Sequence, residues 1–291
     1  MSIYDKKKHP KDFMLLAFTY ICASISILLL IGIMAYVFIK GIGMVNFQFL
    51  TTVPSSLKNT FGIAGNIINT LYIIIITLLI VTPIGIGAAI YLNEYAKPGK
   101  LVRLIEFTTE TLSGIPSIIF GLFGMVFFGT QLKLGYSILT GALTLSIMVL
   151  PLITRNTQEA LKTVPKSYRD GALGIGATKW YMIRTILLPS AMPGIITGII
   201  LSIGRIVGES AALLFTAGSA GLLPNLGQYG EGLFTKILDP GGTLTIQLYL
   251  SMSKAKYDQA FGIASVLLII VLCINILTKV LSKKLDTSRR K

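Results

Sequence analysis

A chain of 291 residues with 53% hydrophobic and only 13% charged side chains has too little polar surface for a soluble domain of that length. Its net charge of +14 invites a nucleic-acid role, but nineteen of the 26 Lys and Arg sit in four segments between or beyond apolar runs, the positive-inside pattern of a membrane protein. Two cysteines, Cys22 and Cys273, both within apolar runs, and a single histidine, His9, give no basis for a disulfide framework or a metal cluster.

Six apolar runs read as spans: 13–39, 66–92, 112–129, 137–154, 191–217 and 260–281. A helix needs roughly 20 residues to cross about 30 Å of hydrocarbon, and in lipid the backbone must satisfy its own polar groups, so all six are expected to be helical. The expected fold is an all-α integral membrane domain over 13–281, with a tail at 1–12 and a basic tail at 282–291. The charge distribution places both tails on the cytoplasmic side. The first span is too long for a signal-peptide core, and no small-residue cleavage site follows it.

Along the chain, Pro83 in the second span predicts a kink. At the cytoplasmic start of the third, Ser113 can cap a helix and Pro116 is tolerated in a first turn. Because helix N-termini attract anions, Ser113 and Ser117 have two readings, a plain cap or an anion contact.

The basic loop 155–190 follows span four. Pro165 favours a helix start, residues 166–173 can form a short helix across the loop, and Gly174 and Gly176 permit a sharp return. Asp170 on that helix can accept hydrogen bonds from a partner or from its own loop, and Pro189 and Pro193 mark the return into span five.

Span five carries Arg205 and Glu209 within an apolar run, costly unless they face protein or water. At 1.5 Å per residue, Arg205 lies about 21 Å from Ala191, near or slightly outside mid-membrane. Helical spacing places Gly194, Gly198, Ser202, Arg205, Gly208, Glu209 and Ala212 on one side, and Ile196, Ile200, Ile203 and Val207 on another that suits lipid. One reading has Arg205 offering its donor fork to a tetrahedral oxyanion, with Glu209 holding the guanidinium or discouraging anions that cannot donate a hydrogen bond. The other is a salt bridge clamping helices together. Beyond it, the outer segment 218–259 is rich in Gly and Pro, and Thr243–Leu250 alternates polar and apolar residues. That alternation suits either a path along the outer membrane surface or contact with a partner, and a structured connecting loop is the plainer reading.

The run Asp170-Gly171-Ala172, three residues, Gly176, nine residues, then Ile186-Leu187-Leu188-Pro189 resembles the loop by which ABC importer permeases dock on their ATPases. In that family the pattern is Glu-Ala-Ala, three residues, Gly, nine residues, Ile-x-Leu-Pro. The resemblance implies ATPase docking through Asp170, Gly171, Ala172, Gly176, Ile186, Leu188 and Pro189, on a type I ABC importer permease fold.

Residues 65–70 (Gly-Asn-Ile-Ile-Asn-Thr), 90–96 (Ile-Tyr-Leu-Asn-Glu-Tyr-Ala), 112–122 and above all 204–217 resemble PstA-type permease subunits of bacterial phosphate ABC importers. Ser210 and Ala212 stand where Thr and Pro are often found. The resemblance implies a non-catalytic inner-membrane subunit with Arg205 and Glu209 in the phosphate pathway. Its implied partners are a second, PstC-like permease, a homodimeric PstB-like ATPase and an extracytoplasmic PstS-like phosphate-binding protein. No Gly-x-x-x-x-Gly-Lys-Ser/Thr cradle occurs, so ATP and Mg are expected on the ATPase and no cofactor on this chain. The sister PstC-type permease, a permease for sulfate, molybdate or phosphonate, and a phosphate-sensing scaffold are the competing readings.

Overall fold

The computed structural model describes residues 10–54, 61–223 and 235–285, and every regular element among them is a helix. His9, most of both tails and most of the Gly- and Pro-rich stretch 221–232 lie outside the described residues. Helix α1 is Pro10–Gly41, α2 Phe47–Thr51 and α3 Ala64–Ile90, the last prolonged by a π-helical turn, Tyr91–Tyr95. Pro83 lies inside α3. Five of the described helices are long and apolar enough to cross a membrane: Phe13–Met44, Ala64–Tyr95, Ile138–Lys162, Lys179–Gly208 and Tyr257–Val280.

The third expected span takes another form. Helix α4, Lys100–Gly114, meets α5, Ser117–Gly124, which a π-helical stretch extends through Gln131; the two parts bend by 102°. The cause is local. Ile115 precedes Pro116, whose ring disfavours the α region for its predecessor, and Ile115 accordingly has φ −72° and ψ 131°.

Helix α6, Ile138–Lys162, is the most buried span, and Ser137 caps it by accepting the Thr140 N–H at 3.1 Å. It extends through the first eight residues of the segment read as a loop. It packs against α3, α5 and α9, the last being Leu188–Gly208. Leu145, Met148, Val149 and Ile153 of α6 meet Ile73 and Val81 of α3 and Ile203, Ile206 and Val207 of α9 in one core. The approach of α9 is close: a Cβ on Gly194 would lie 2.6 Å from Ala160 Cβ, and one on Gly198 2.7 Å from Asn156 Cβ. Glycine at these positions lets the two backbones meet.

This packing corrects the lipid face expected for span five. Ile196, Ile203 and Val207 are buried and Ile200 is half-buried, because that side of α9 turns into the protein. An isoleucine stripe suits a core as well as lipid, so apolarity alone does not distinguish the two environments.

Between α6 and α9 lie α7, Lys166–Gly174, and α8, Lys179–Met182. After α9 come α10, Ala211–Thr216, then α11, Leu244–Ser253, and α12, Tyr257–Leu285, on which α1 rests. The alternating stretch 243–250 is therefore helical and packed inward, with Leu244 and Ile246 fully buried. It is held by the run at 66–70. The Asn66 amide donates to the Gly242 carbonyl at 2.9 Å, the Asn69 amide to the Ala220 carbonyl at 3.1 Å, and Thr70 Oγ1 accepts the Leu244 N–H at 3.0 Å.

Candidate functional site

Arg205 lies in the last turn of α9 on an exposed stripe with Thr197, Leu201, Gly204 and Gly208. A Cβ on Gly204 or Gly208 would meet no atom within 4 Å, so the guanidinium stands beside open space. Gly198 and Ser202, expected on the same side as Arg205, are buried instead; the small-residue arc straddles the edge between core and open face.

Glu209 does not continue the helix. It has extended backbone angles, φ −81° and ψ 123°, and ends α9. Its carboxylate accepts the Ala212 N–H at 3.0 Å, capping α10, and its carbonyl accepts the Thr245 hydroxyl of α11 at 2.9 Å. The continuous helix expected over 191–217 is thus broken at 209–210, and the i, i+4 pair of Arg205 and Glu209 does not form. A carboxylate three residues before an open N–H at the start of a helix gains both a hydrogen bond and a favourable dipole. Among the described residues Arg205 carries no ion pair, which leaves its fork of donors free for a planar or tetrahedral oxyanion.

Ser113 and Ser117 flank the α4–α5 bend, and no described contact joins either to Arg205. Ser113 caps nothing: its hydroxyl donates to the Thr109 carbonyl at 3.1 Å inside α4. The residue before α5 is Pro116, which has no capping side chain. Ser113 lines a polar cleft of about 230 Å³ between α4 and α6 with Glu106, Glu110, Glu159, Arg155 and Lys162. Three carboxylates against two cations make that cleft a poor resting place for an anion.

The loop after α6 is built as expected around α7, with Pro165 at its N-cap and Gly176 turning the chain at φ +85°. Ala172 is buried among Leu161, Val164, Met182, Ile183 and Leu187, and half-buried Ile186 and Leu188 pack on the same cluster. Pro189 occupies the first turn of α9. Of the seven residues expected to dock an ATPase, only Asp170, Gly171 and Gly176 are exposed. An alanine at Gly171, as in the Glu-Ala-Ala pattern, would meet no atom within 4 Å, so that departure is sterically neutral.

Two features escaped the sequence reading. Tyr168, Leu173, Ile175, Trp180 and Tyr181 are all exposed on this loop, Ile175 by 87%, forming an apolar and aromatic surface of the kind that partners cover. Behind it, Arg169 grips Glu94 at the end of α3: Nη2 lies 2.9 Å and Nε 3.2 Å from Oε1. Arg169 also donates to the Val164 and Leu161 carbonyls at 2.9 and 3.0 Å. The acid sits within the 90–96 run and the base beside Asp170, but nothing local couples them.

The family model for binding-protein-dependent transport system inner membrane components matches residues 82–291. The chain is 37% identical to the "Probable ABC transporter permease protein YqgI" of Bacillus subtilis (strain 168), covering 88% of this chain and 90% of that one. It is 36% identical to the "Phosphate transport system permease protein PstA" of Pasteurella multocida (strain Pm70), over 71% of this chain and 74% of that one. Among solved structures, a bacterial alginate ABC transporter superposes with a TM-score of 0.69 at 16% identity, covering 95% of this chain and 96% of that chain; it shares the fold.

Proposed function

We propose that this chain, which belongs to the family of binding-protein-dependent transport system inner membrane components, is the PstA-type permease subunit of an inorganic phosphate importer. As a multi-pass permease of an ABC importer it works with an ATPase and a substrate-binding protein. The finer assignments are ours: a PstC-like second permease, a homodimeric PstB-like ATPase that holds ATP and Mg, a PstS-like binding protein, and both termini in the cytoplasm. No cofactor is assigned to this chain.

The observation that carries the cargo reading is Arg205, unpaired among the described residues and exposed on a stripe whose glycines leave space around it. A guanidinium fork in the last turn before a helix break suits a tetrahedral oxyanion. Phosphate is favoured over other oxyanions by the likeness to PstA-named relatives. The Glu-Ala-Ala-like loop supports coupling: Ala172, Ile186, Leu188 and Pro189 shape it from within, and Asp170, Gly171, Gly176 and the aromatic surface face outward.

The test is initial uptake of labelled phosphate in cells lacking the chain, restored with wild type or Arg205→Ala at equal membrane abundance. Excess sulfate, molybdate or phosphonate serves as competitor. Uptake that needs the chain, fails with Arg205→Ala and ignores the competitors supports the reading. Undiminished uptake in the mutant would remove Arg205 from the path. Competition by sulfate, molybdate or phosphonate would reassign the cargo.

A further inference from the structure

Helix α4 has two unlike faces. At 100° per residue, Glu106, Thr109, Glu110 and Ser113 fall together, and these line the cleft against α6. Glu110 comes within 3.9 Å of Arg155, an exposed pair that shows this polar face turned toward α6. The other arc carries Leu101, Leu104 and Phe107, exposed by 62, 60 and 68%, and no described residue of the chain buries them. On the helical wheel Lys100 and Arg103 bracket Phe107, with Lys97 just upstream, and all three are exposed.

Orientation narrows what covers this stripe. Where α5 crosses a bilayer, a 102° bend sets α4 nearly in the membrane plane. A helix lying flat, apolar on one side, with Arg103 at the margin of that side and Lys100 between Phe107 and Leu104, matches the physics of an interfacial helix. Long basic side chains at such a margin place their stems on the acyl region and their charges among the headgroups. A free phosphate ion would use the cations and leave the apolar stripe in water, whereas an anionic phospholipid satisfies both.

We propose that α4 is an interfacial helix whose Leu101, Leu104 and Phe107 seat in the cytoplasmic leaflet, while Lys97, Lys100 and Arg103 bind the phosphodiester headgroups of anionic phospholipids. This rests on the cytoplasmic placement of residues 93–111 and is independent of the cargo.

The test places a photo-reactive benzoylphenylalanine at Leu104, Phe107 or Thr109 of the chain, within the complete transporter, in nanodiscs of mixed phosphatidylglycerol and phosphatidylcholine. Adducts are identified by mass after irradiation. Positions 104 and 107 should yield phospholipid adducts and position 109 none. Phosphatidylglycerol should be enriched over its bulk share by about fivefold for each basic residue engaged, at roughly 1 kcal/mol per Lys or Arg near an anionic surface. Lys100→Gln with Arg103→Gln should return the adducts to the bulk ratio. Cross-links from 104 and 107 to another polypeptide would overturn the proposal by showing a subunit on the stripe. Phosphatidylglycerol at its bulk share in the wild-type sequence would overturn the headgroup site. The readout is adduct mass rather than uptake, so neither failure touches the phosphate reading.

Discussion

Arg169 of α7 and Glu94 at the end of α3, 75 positions apart, form a two-pronged ion pair with side chains only 19% and 5% exposed. This pair fixes α7 to the end of a long apolar helix, so displacement of one is felt by the other. Arg169→Ala leaves Glu94 nearly buried without its cation and should cost about 3–5 kcal/mol. Arg169→Lys keeps the charge but loses the fork and should fall between. Thermal unfolding of the purified transporter checks both, and an unshifted midpoint for Arg169→Ala would show that the pair does not hold the loop.

Glu209 acts as a cap, so the atom that matters is an acceptor oxygen rather than a negative charge. Glu209→Gln should preserve most of the stability, whereas Glu209→Ala should lose about 1 kcal/mol, the usual worth of an N-cap. Were Glu209 instead the counterion of Arg205, Gln and Ala would be equally damaging. Stability and phosphate uptake measured on both variants separate the two roles.

The two sides of α9 should answer the same substitution differently. Gly198→Ala forces a methyl group 2.7 Å from Asn156 Cβ and should destabilise by about 1–3 kcal/mol through overpacking. Gly204→Ala meets open space and should be neutral or stabilising by about 0.5–1 kcal/mol, as for an unconstrained glycine in a helix. Paired melting curves decide it; equal losses would mean that α9 does not pack on α6 through this face.

Lys236, on the 3-10 turn Thr235–Leu238, is buried, and desolvation lowers its pKa while Asp239 at 4.0 Å partly opposes the shift. A lysine lowered on folding binds fewer protons in the native state than in the unfolded state. Stability from this group therefore rises with pH between the lowered value and the ordinary one near 10.5. Lys236→Met should flatten that rise and raise the melting temperature at neutral pH. A lower melting temperature at neutral pH would show that the charge has a partner worth more than its desolvation.

Much of this architecture was legible because lipid imposes a coarse rule. Long apolar runs must be helices, and α1, α3 and α12 fall close to their expected bounds, while α6 starts where expected and runs eight residues further. The short helix α7 was legible too, since Pro165 and Gly176 act through backbone angles set within a few residues. What the sequence did not disclose were choices made between elements. The carboxylate of Glu209 had two local prospects, Arg205 along a helix or Ala212 across a break, and anchorage of its carbonyl by Thr245 accompanies the second. Which stripe of α9 meets protein was hidden because isoleucine suits both environments. The α4–α5 bend was visible in Ile115-Pro116, but hydropathy ran across it.

The asparagines of α3 carry a consequence for how the protein is made. Asn66 and Asn69 are completely buried, and their partners are backbone carbonyls at Ala220 and Gly242, more than 150 positions later. A ribosome making this chain from the N-terminus delivers α3 long before those carbonyls exist. The N-terminal end of α3 therefore lacks these partners until the last third of the chain arrives, and its final seating comes late in biogenesis. Chains that stop short of residue 242 would leave the Asn66 amide without its carbonyl partner and this end of α3 unseated.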